Sequence, residues 1–146
     1  IEMNVLIKNS RFLRKSFLQK VFGEQFLKIE EEEDTLSEKN YIFINLVKDF
    51  ILKNIDQENL TIDEVASELC MSRTTFFNKW KSLTGEAPKY FIYRIRMEKA
   101  RELLESGRYS VNVVPEMIGL RNLKNFRHKY KEYFGITPSE SIMKKQ

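Results

Sequence analysis

Apolar residues recur at helical spacing along most of the chain, and the pattern predicts an all-α protein. One such segment runs from Val5 to Ile29, where apolar positions spaced by seven, four and four residues form a stripe of Leu6, Leu13, Phe17 and Val21. A helix with this stripe can pair with the same stripe of a second chain, dock onto a part of the protein outside this sequence, or dock onto its own domain. The pattern alone leaves these three options open.

A second helix is predicted from Ser37 to about Asn54. Ser37 suits the N-cap position, because its hydroxyl can accept a hydrogen bond from a free backbone N–H of the first turn. One face of this helix is apolar at Phe43, Val47 and Phe50, with Ile44 and Ile51 beside it. The acidic run from Glu30 to Asp34 comes before it, and we interpret that run as a solvated linker.

The widest apolar arc belongs to the segment from Pro88 to Ser106. Pro88 suits the first helical position, and Gly107 suits the left-handed position just after the end. The apolar positions between them cover more than one narrow stripe: Ile92, Tyr93, Ile95, Met97, Ala100, Leu103 and Leu104. The pattern therefore predicts a central helix, roughly 28 Å long at 1.5 Å per residue, that packs against structure on more than one side.

Similar sequence flanks this helix on both sides. At a separation of 49 residues, Thr61, Ile62, Val65 and Leu69 match Ser110, Val111, Val114 and Ile118. At a separation of 50, Phe76, Trp80, Lys81, Gly85 and Pro88 match Phe126, Tyr130, Lys131, Gly135 and Pro138. The match indicates a duplicated small module, with copies at about residues 60–88 and 109–138.

Each copy has the outline of a helix, a short turn and a second helix. Thr61 and Ser110 can cap the first helices, and Ser72 and Asn122 can cap the second helices. The outline alone is a weak signal of function, because many all-α proteins contain such pairs.

The second helix of each copy has one apolar and one polar face. In the first module Phe76, Trp80 and Leu83 face inward, and the outward positions are Arg73, Thr74, Phe77, Asn78 and Lys81. In the second module Phe126 and Tyr130 face inward, and the outward positions are Lys124, Arg127, His128 and Lys131. Basic groups with few acids are what a phosphate-facing surface needs.

The net charge differs between the N-terminal part of the chain and the part that contains the two modules. Residues 60–146 carry 16 Lys+Arg against 10 Asp+Glu, whereas residues 1–59 carry 9 against 11. A basic pair of modules favours an anionic partner.

Other chemistry finds little support in the sequence. There is no glycine-rich phosphate loop, no nucleophile–base pair and no cluster of metal ligands, so we predict no enzyme activity, no cofactor and no metal site. One cysteine, Cys70, excludes an intrachain disulfide and fits a reducing cytoplasm. No apolar run of 18 residues predicts a membrane span in this sequence.

With these residues laid out, the segment from about Leu60 to Ser139 resembles the DNA-binding domain of AraC/XylS-type transcription regulators. The motifs that carry the resemblance are Leu69-Cys-Met-Ser72, Phe76 with Trp80, Thr84-Gly85, Arg96-Met-Glu-Lys-Ala100, Leu103-Leu104 and Tyr133-Phe-Gly-Ile-Thr-Pro138. The resemblance implies two helix-turn-helix modules joined by one long helix. The stretch from Leu6 to Lys15 looks like the end of a receiver domain, which implies the C-terminal part of a two-component response regulator or hybrid sensor protein.

The resemblance also implies roles for the outward residues. Base contacts fall at Thr74, Phe77 and Asn78, while Arg73 and Lys81 hold phosphates. His128 occupies a position where the family often carries a DNA-contacting Arg.

Two departures from the family pattern lie in the second module. Pro115 falls inside its first helix if Ser110 is the cap, so this helix either kinks or begins near Val114. Leu120 replaces the usual Phe of the turn and leaves a smaller side chain to fill it. After Pro138 the tail offers little to bury, and we expect it to fray.

The prediction that follows is a sequence-specific transcription regulator, the output domain of a signalling protein, whose partner is double-stranded DNA. The alternative is a protein-interaction module of a signalling protein with weak or lost DNA binding. Residues 1–36 are predicted to be a helical linker or the end of a receiver domain, and residues 37–146 the DNA-binding domain. A homodimer through the N-terminal helix or a missing receiver domain is a further option.

Overall fold

The computed structural model describes residues 34–143, and the predicted Val5–Ile29 helix therefore lies outside the described residues. Seven α-helices and no strand occur in the described range, which confirms the all-α fold class. In chain order the helices are α1 (Asp34–Lys53), α2 (Ile62–Glu68), α3 (Arg73–Thr84), α4 (Pro88–Glu105), α5 (Val114–Met117), α6 (Leu123–Phe134) and α7 (Pro138–Met143). The pairs α2–α3 and α5–α6 are the two predicted modules, and α4 is the helix that joins them.

Helix α1 begins earlier than predicted. The sequence pattern places Ser37 at the N-cap, but the helix already includes Asp34, so Ser37 lies inside it and the end of the acidic run is helical rather than linker. No glycine or proline separates Glu30 from the predicted helix, so nothing in the backbone stops the helix at Ser37. The domain boundary proposed between residues 36 and 37 falls within α1 and stays a prediction.

The first helix of the first module, α2, begins at the N-cap residue that the sequence predicts. The Thr61 hydroxyl accepts a hydrogen bond from the Glu64 N–H at 3.2 Å, and the Glu64 carboxylate accepts one from the Thr61 N–H at 3.1 Å. This reciprocal pair is a capping box, which satisfies two backbone donors of the first turn. Glu64 and Asp63 also place negative charge where the helix dipole favours it.

An aromatic cluster joins α1, α3 and α4. The ring centroids of Phe43 and Phe76 are 5.9 Å apart, and those of Trp80 and Phe91 are 4.7 Å apart. Phe76 and Trp80 are fully buried and stack on each other at 5.9 Å. Large rings packed in this way contribute much of the apolar burial of a small domain, so α1 is an integral part of the first module's core.

Helix α4 has the predicted start and end. Pro88 stands at the first helical position, Ser106 is the C-cap and Gly107 follows with φ +74°. Its 18 residues span about 27 Å. Phe91 and Arg96 are both buried, although the apolar arc predicted for this helix includes neither of them.

Pro115 sets the start of helix α5. The helix runs only from Val114 to Met117 with Pro115 in its first turn, which confirms the second of the two alternatives. Ser110 is therefore not the side-chain cap that was predicted; its carbonyl accepts hydrogen bonds from the N–H groups of Val113 and Val114 in the preceding turn. The physical reason is that proline has no N–H to continue a helix from Ser110.

The tail after Pro138 does not fray as expected over the described residues. Pro138–Met143 is helix α7, which packs against α4 and α6. The Tyr130 hydroxyl and the Ser141 hydroxyl, both buried, share a hydrogen bond of 2.5 Å. This buried hydrogen bond helps to order the tail, and it could not be predicted from the few apolar residues that the tail contains.

Candidate nucleic-acid interface

Helix α3 is oriented by its cap and its two buried rings. The Ser72 hydroxyl accepts a hydrogen bond from the Thr75 N–H at 3.1 Å, and Gly85 ends the helix in the left-handed conformation. Phe76 and Trp80 are buried four residues apart, whereas Leu83, also predicted to face inward, is only half-buried. The rotation of α3 about its axis is therefore fixed, because these rings cannot turn toward solvent without emptying the core.

The opposite face of α3 carries the five predicted contact residues. Four are exposed and one, Phe77, is half-buried: Arg73, Thr74, Asn78 and Lys81 are the exposed ones. Arg73 lies 3.6 Å from the Asp63 carboxylate, and both side chains are more than 60% exposed. A pair this open to solvent contributes little to stability, so Arg73 remains available to another anion.

Helix α6 repeats this arrangement in the second module. The Asn122 side chain accepts a hydrogen bond from the Asn125 N–H at 2.9 Å, and Gly135 ends the helix with φ +75°. Phe126 and Tyr130 are fully buried. Burial raises the pKa of Tyr130, although its hydrogen bond to Ser141 acts in the opposite direction.

The outward face of α6 is basic. All four predicted residues, Lys124, Arg127, His128 and Lys131, are exposed. The one acid in the helix is Glu132, whose carboxylate lies 3.8 Å from Nε2 of His128; helix α3 has none. Both helices therefore present a face that attracts an anion with little internal competition.

The nine predicted site residues thus fall into two sets, one on each second helix of a module. The structure brings together the five residues of α3 and, separately, the four residues of α6, with α4 between the modules. Within each set the members share the face opposite the buried rings.

Further polar residues, which the sequence pattern did not predict, lie before and within the first turn of α6. Arg121 and Asn125 are exposed, and they line a shallow cleft together with Asn122 and Lys129. The available signal was a basic residue directly before the predicted cap Asn122. Arg121 and Lys129 add two further basic groups to this end of the molecule.

Two other kinds of site find no support in the part of the chain that the structure describes. No group of three or more His, Cys, Asp and Glu side chains comes together there as metal ligands would. None of the helices from α1 to α7 is both long and apolar enough to cross a bilayer.

A protein-family model described as a helix-turn-helix domain matches residues 65–142. Among curated proteins, histidine kinase P4 of Formosa agariphila is 33% identical over 87 residues, which make up 60% of this chain and 6% of that protein. The Msm operon regulatory protein of Streptococcus mutans is 28% identical over 80% of this chain and 41% of its own length. The chain thus spans less than half the length of these relatives.

Solved structures show the same fold. A transcriptional regulator with an AraC-type DNA-binding domain from Chromobacterium violaceum superposes with a TM-score of 0.66 at 23% identity, over 74% of this chain and 96% of that one. The DNA-binding domain of AdpA, a global transcriptional factor solved in complex with a target DNA, gives a TM-score of 0.58 at 28% identity, over 69% and 89% of the two chains.

Proposed function

Because the chain belongs to the AraC-type helix-turn-helix family of DNA-binding transcription regulators, we propose that it binds duplex DNA sequence-specifically and reads two adjacent major grooves with α3 and α6. The observation that carries this proposal is the duplication. Both helices begin at a side-chain cap, end at a left-handed glycine, and bury an aromatic pair at matched positions. Each therefore offers a rigid outward face of the kind that lies in a major groove.

On α3 the N-terminal half of this face reads the bases. Thr74 and Asn78 are exposed there, and an Asn amide can make two hydrogen bonds to adenine. The half-buried Phe77 can reach a thymine methyl or a sugar with its exposed edge. Arg73 and Lys81 bind phosphates, which position the helix without reading sequence.

On α6 several of the contacts are to the backbone of DNA. Lys124, Arg127 and Lys131 supply positive charge, and Arg121 extends the same surface toward the α5–α6 turn. His128 supplies a further contact to DNA, since its side chain is exposed and its neighbour Glu132 is also open to solvent. The second module therefore contributes affinity as well as sequence preference.

The chain serves as the output domain of a larger two-component signalling protein. Its likeness to part of a histidine kinase and its small share of that relative's length support this context. A homodimer formed through residues N-terminal to α1, or through a preceding receiver domain, would place two such domains on tandem or inverted DNA sites. We propose that the protein binds DNA in the cytoplasm. The family consists of DNA-binding regulators rather than enzymes.

Removing two charges from α6 tests the proposed interface. We expect the double variant Lys124→Ala, Arg127→Ala to bind all duplex sequences more weakly, because both residues contact phosphate. The slope of log affinity against log salt concentration should become shallower by about 1.8, at about 0.9 for each phosphate that the variant no longer neutralises. Titration of a labelled duplex at several salt concentrations measures both quantities.

A matched variant separates the interface from overall charge. Lys39→Ala with Lys53→Ala removes the same two charges from exposed positions on α1, and it should change the slope much less. If the α6 variant keeps the parent's affinity and slope, α6 does not contact DNA. If the parent does not bind duplex DNA, or binds it with an affinity that does not depend on salt, the protein-interaction alternative is favoured.

Sequence preference is tested at Asn78. We expect Asn78→Ala to relax the preference at one or two base pairs of a DNA site selected from random duplexes, by about 1–3 kcal/mol. Asn112→Ala, at another exposed asparagine outside α3 and α6, should leave the selected consensus unchanged. An identical consensus for Asn78→Ala and the parent would remove Asn78 from base recognition.

A further inference from the structure

Arg96 is a cationic side chain of α4 that is buried at the base of the cleft lined by Arg121, Asn122, Asn125 and Lys129. Only 8% of its surface is exposed, and its Nη2 donates a hydrogen bond of 2.7 Å to the Gln57 carbonyl in the loop between α1 and α2. Its Nε has no hydrogen-bond partner among the described residues. Burial lowers the pKa of Arg96, and the nearby Glu58 offsets part of that effect. A guanidinium held mainly by a backbone carbonyl is a costly way to fill a core, so its position calls for a reason.

The turn between α5 and α6 reaches the same point. Gly119, in this turn, has φ +77°, and a Cβ added to it would lie 2.5 Å from the Ile55 carbonyl oxygen, 3.2 Å from the Gln57 oxygen and 3.1 Å from Nη2 of Arg96. The turn therefore lies directly on the α1–α2 loop. We name the junction by its four members: Arg96, Gly119 and the carbonyls of Ile55 and Gln57.

The matching turn of the first module is built differently. Cys70 stands at the position that matches Gly119, and it also has a left-handed backbone, with φ +57°. The Cys70 side chain is exposed, and its turn accommodates a Cβ. The close approach at Gly119 is thus not a requirement of the turn itself, because the same turn forms in the first module without it.

The second module needs such a support more than the first. Its first helix, α5, has only four residues, whereas α2 has seven and a complete capping box. Helix α6 is held at its middle by α4, where the Tyr93 hydroxyl donates a hydrogen bond of 3.4 Å to the Lys129 carbonyl. The junction holds the turn that leads into its N-terminal end, the end that enters the groove.

We propose that Arg96 is a positioning residue for DNA recognition, which, with Gly119, sets the angle of α6 relative to α3 and so decides whether both helices fit one duplex. This inference rests on the proposed function, because it requires that both helices bind DNA. It adds a role for a buried residue that lies on neither reading helix.

The test uses a DNA site selected with the parent protein and divided into two half-sites, one for each module. Three duplexes are compared: the intact site, the site with the α3 half scrambled and the site with the α6 half scrambled. Arg96→Met keeps the length and apolar stem of the side chain but removes the guanidinium. We expect it to bind the intact site about 10- to 100-fold more weakly and to become insensitive to scrambling of the α6 half, while it still discriminates the α3 half. Its footprint on the intact site should shrink to one half-site.

Arg96→Lys and Ile51→Val complete the design. Lys keeps one donor that reaches a carbonyl, so Arg96→Lys should recover part of the sensitivity to the α6 half; it also serves if Arg96→Met does not fold. Ile51→Val loosens a buried position of α1 outside the junction and should weaken binding to both half-sites alike. Thermal unfolding of each variant gives the folded fraction by which affinities are corrected.

The outcomes separate the two proposals. Equal loss of both half-sites in the Arg96 variants, or no loss after correction for folding, overturns the positioning role and leaves the proposed function standing. A parent that fails to bind any duplex overturns the proposed function, and the positioning role with it.

Discussion

Inserting five base pairs between the two half-sites is expected to abolish most of the binding affinity of a single chain. Five base pairs rotate one half-site by about half a turn of B-DNA, to the far side of the duplex. Helix α4, about 27 Å long, is a rigid connection, and successive grooves on one face lie about 34 Å apart. If the second module supplies roughly half of a specific binding energy of about 4–10 kcal/mol, the loss is about 2–5 kcal/mol, or roughly 30- to 5,000-fold.

A ten-base-pair insertion is the matched control. It returns the second half-site to the original face but moves it a further turn along the axis, beyond the reach of a rigid helix. We therefore expect a similar loss, whereas a flexible connection would recover affinity at ten base pairs. Unchanged binding after the five-base-pair insertion would mean that one module alone engages DNA, and Pro115 and Leu120 make the second module the one that does not.

Gly119→Ala is expected to reduce the free energy of unfolding by about 2–5 kcal/mol. A left-handed backbone costs a residue with a Cβ about 1–2 kcal/mol, and forcing an atom into a packed site adds about 1–3 kcal/mol. Here the added Cβ would lie 2.5 Å from the Ile55 carbonyl oxygen, a backbone atom that cannot move aside alone. Denaturant unfolding of the variant and the parent measures the difference.

Gly135→Ala isolates the two contributions. Gly135 has nearly the same φ, +75°, but no atom of residues 34–143 outside its own turn lies within 4 Å of a Cβ built on it. Its substitution should cost only the conformational part, about 1–2 kcal/mol. If Gly119→Ala and Gly135→Ala destabilise equally, the α5–α6 turn does not press on the α1–α2 loop in solution.

The features that the sequence predicted well are those decided by neighbouring residues. Caps at Thr61, Ser72 and Asn122 depend on one side chain and the N–H three residues on, so residue type alone indicates them. The start of α4 at Pro88 follows from the fixed φ of proline in the same way. Burial of Phe76, Trp80, Phe126 and Tyr130 follows from helical spacing and from the repeat.

The features that the sequence did not reveal depend on distant partners. Burial of Arg96 is not predicted because a charge normally marks the surface, and its partner is a backbone carbonyl 39 residues away that has no residue-type signature. The sequence could not show that α1 begins before Ser37, because a serine that suits an N-cap can also lie inside a helix. The candidate interface stands between these cases: spacing predicted which side chains point outward, but base contacts depend on a DNA surface that the sequence does not contain.

The position of Trp80 has an optical consequence. It is the one tryptophan in the sequence, and it is fully buried between Phe76 and Phe91 in the first module. Its fluorescence emission therefore reports the unfolding of the aromatic cluster of α1, α3 and α4. It does not report the unfolding of the core around Phe126 and Tyr130, whereas circular dichroism follows the helices of both modules. Coincident unfolding curves from the two signals would mean that the modules open as one unit, and separated curves would measure how far each can open without the other.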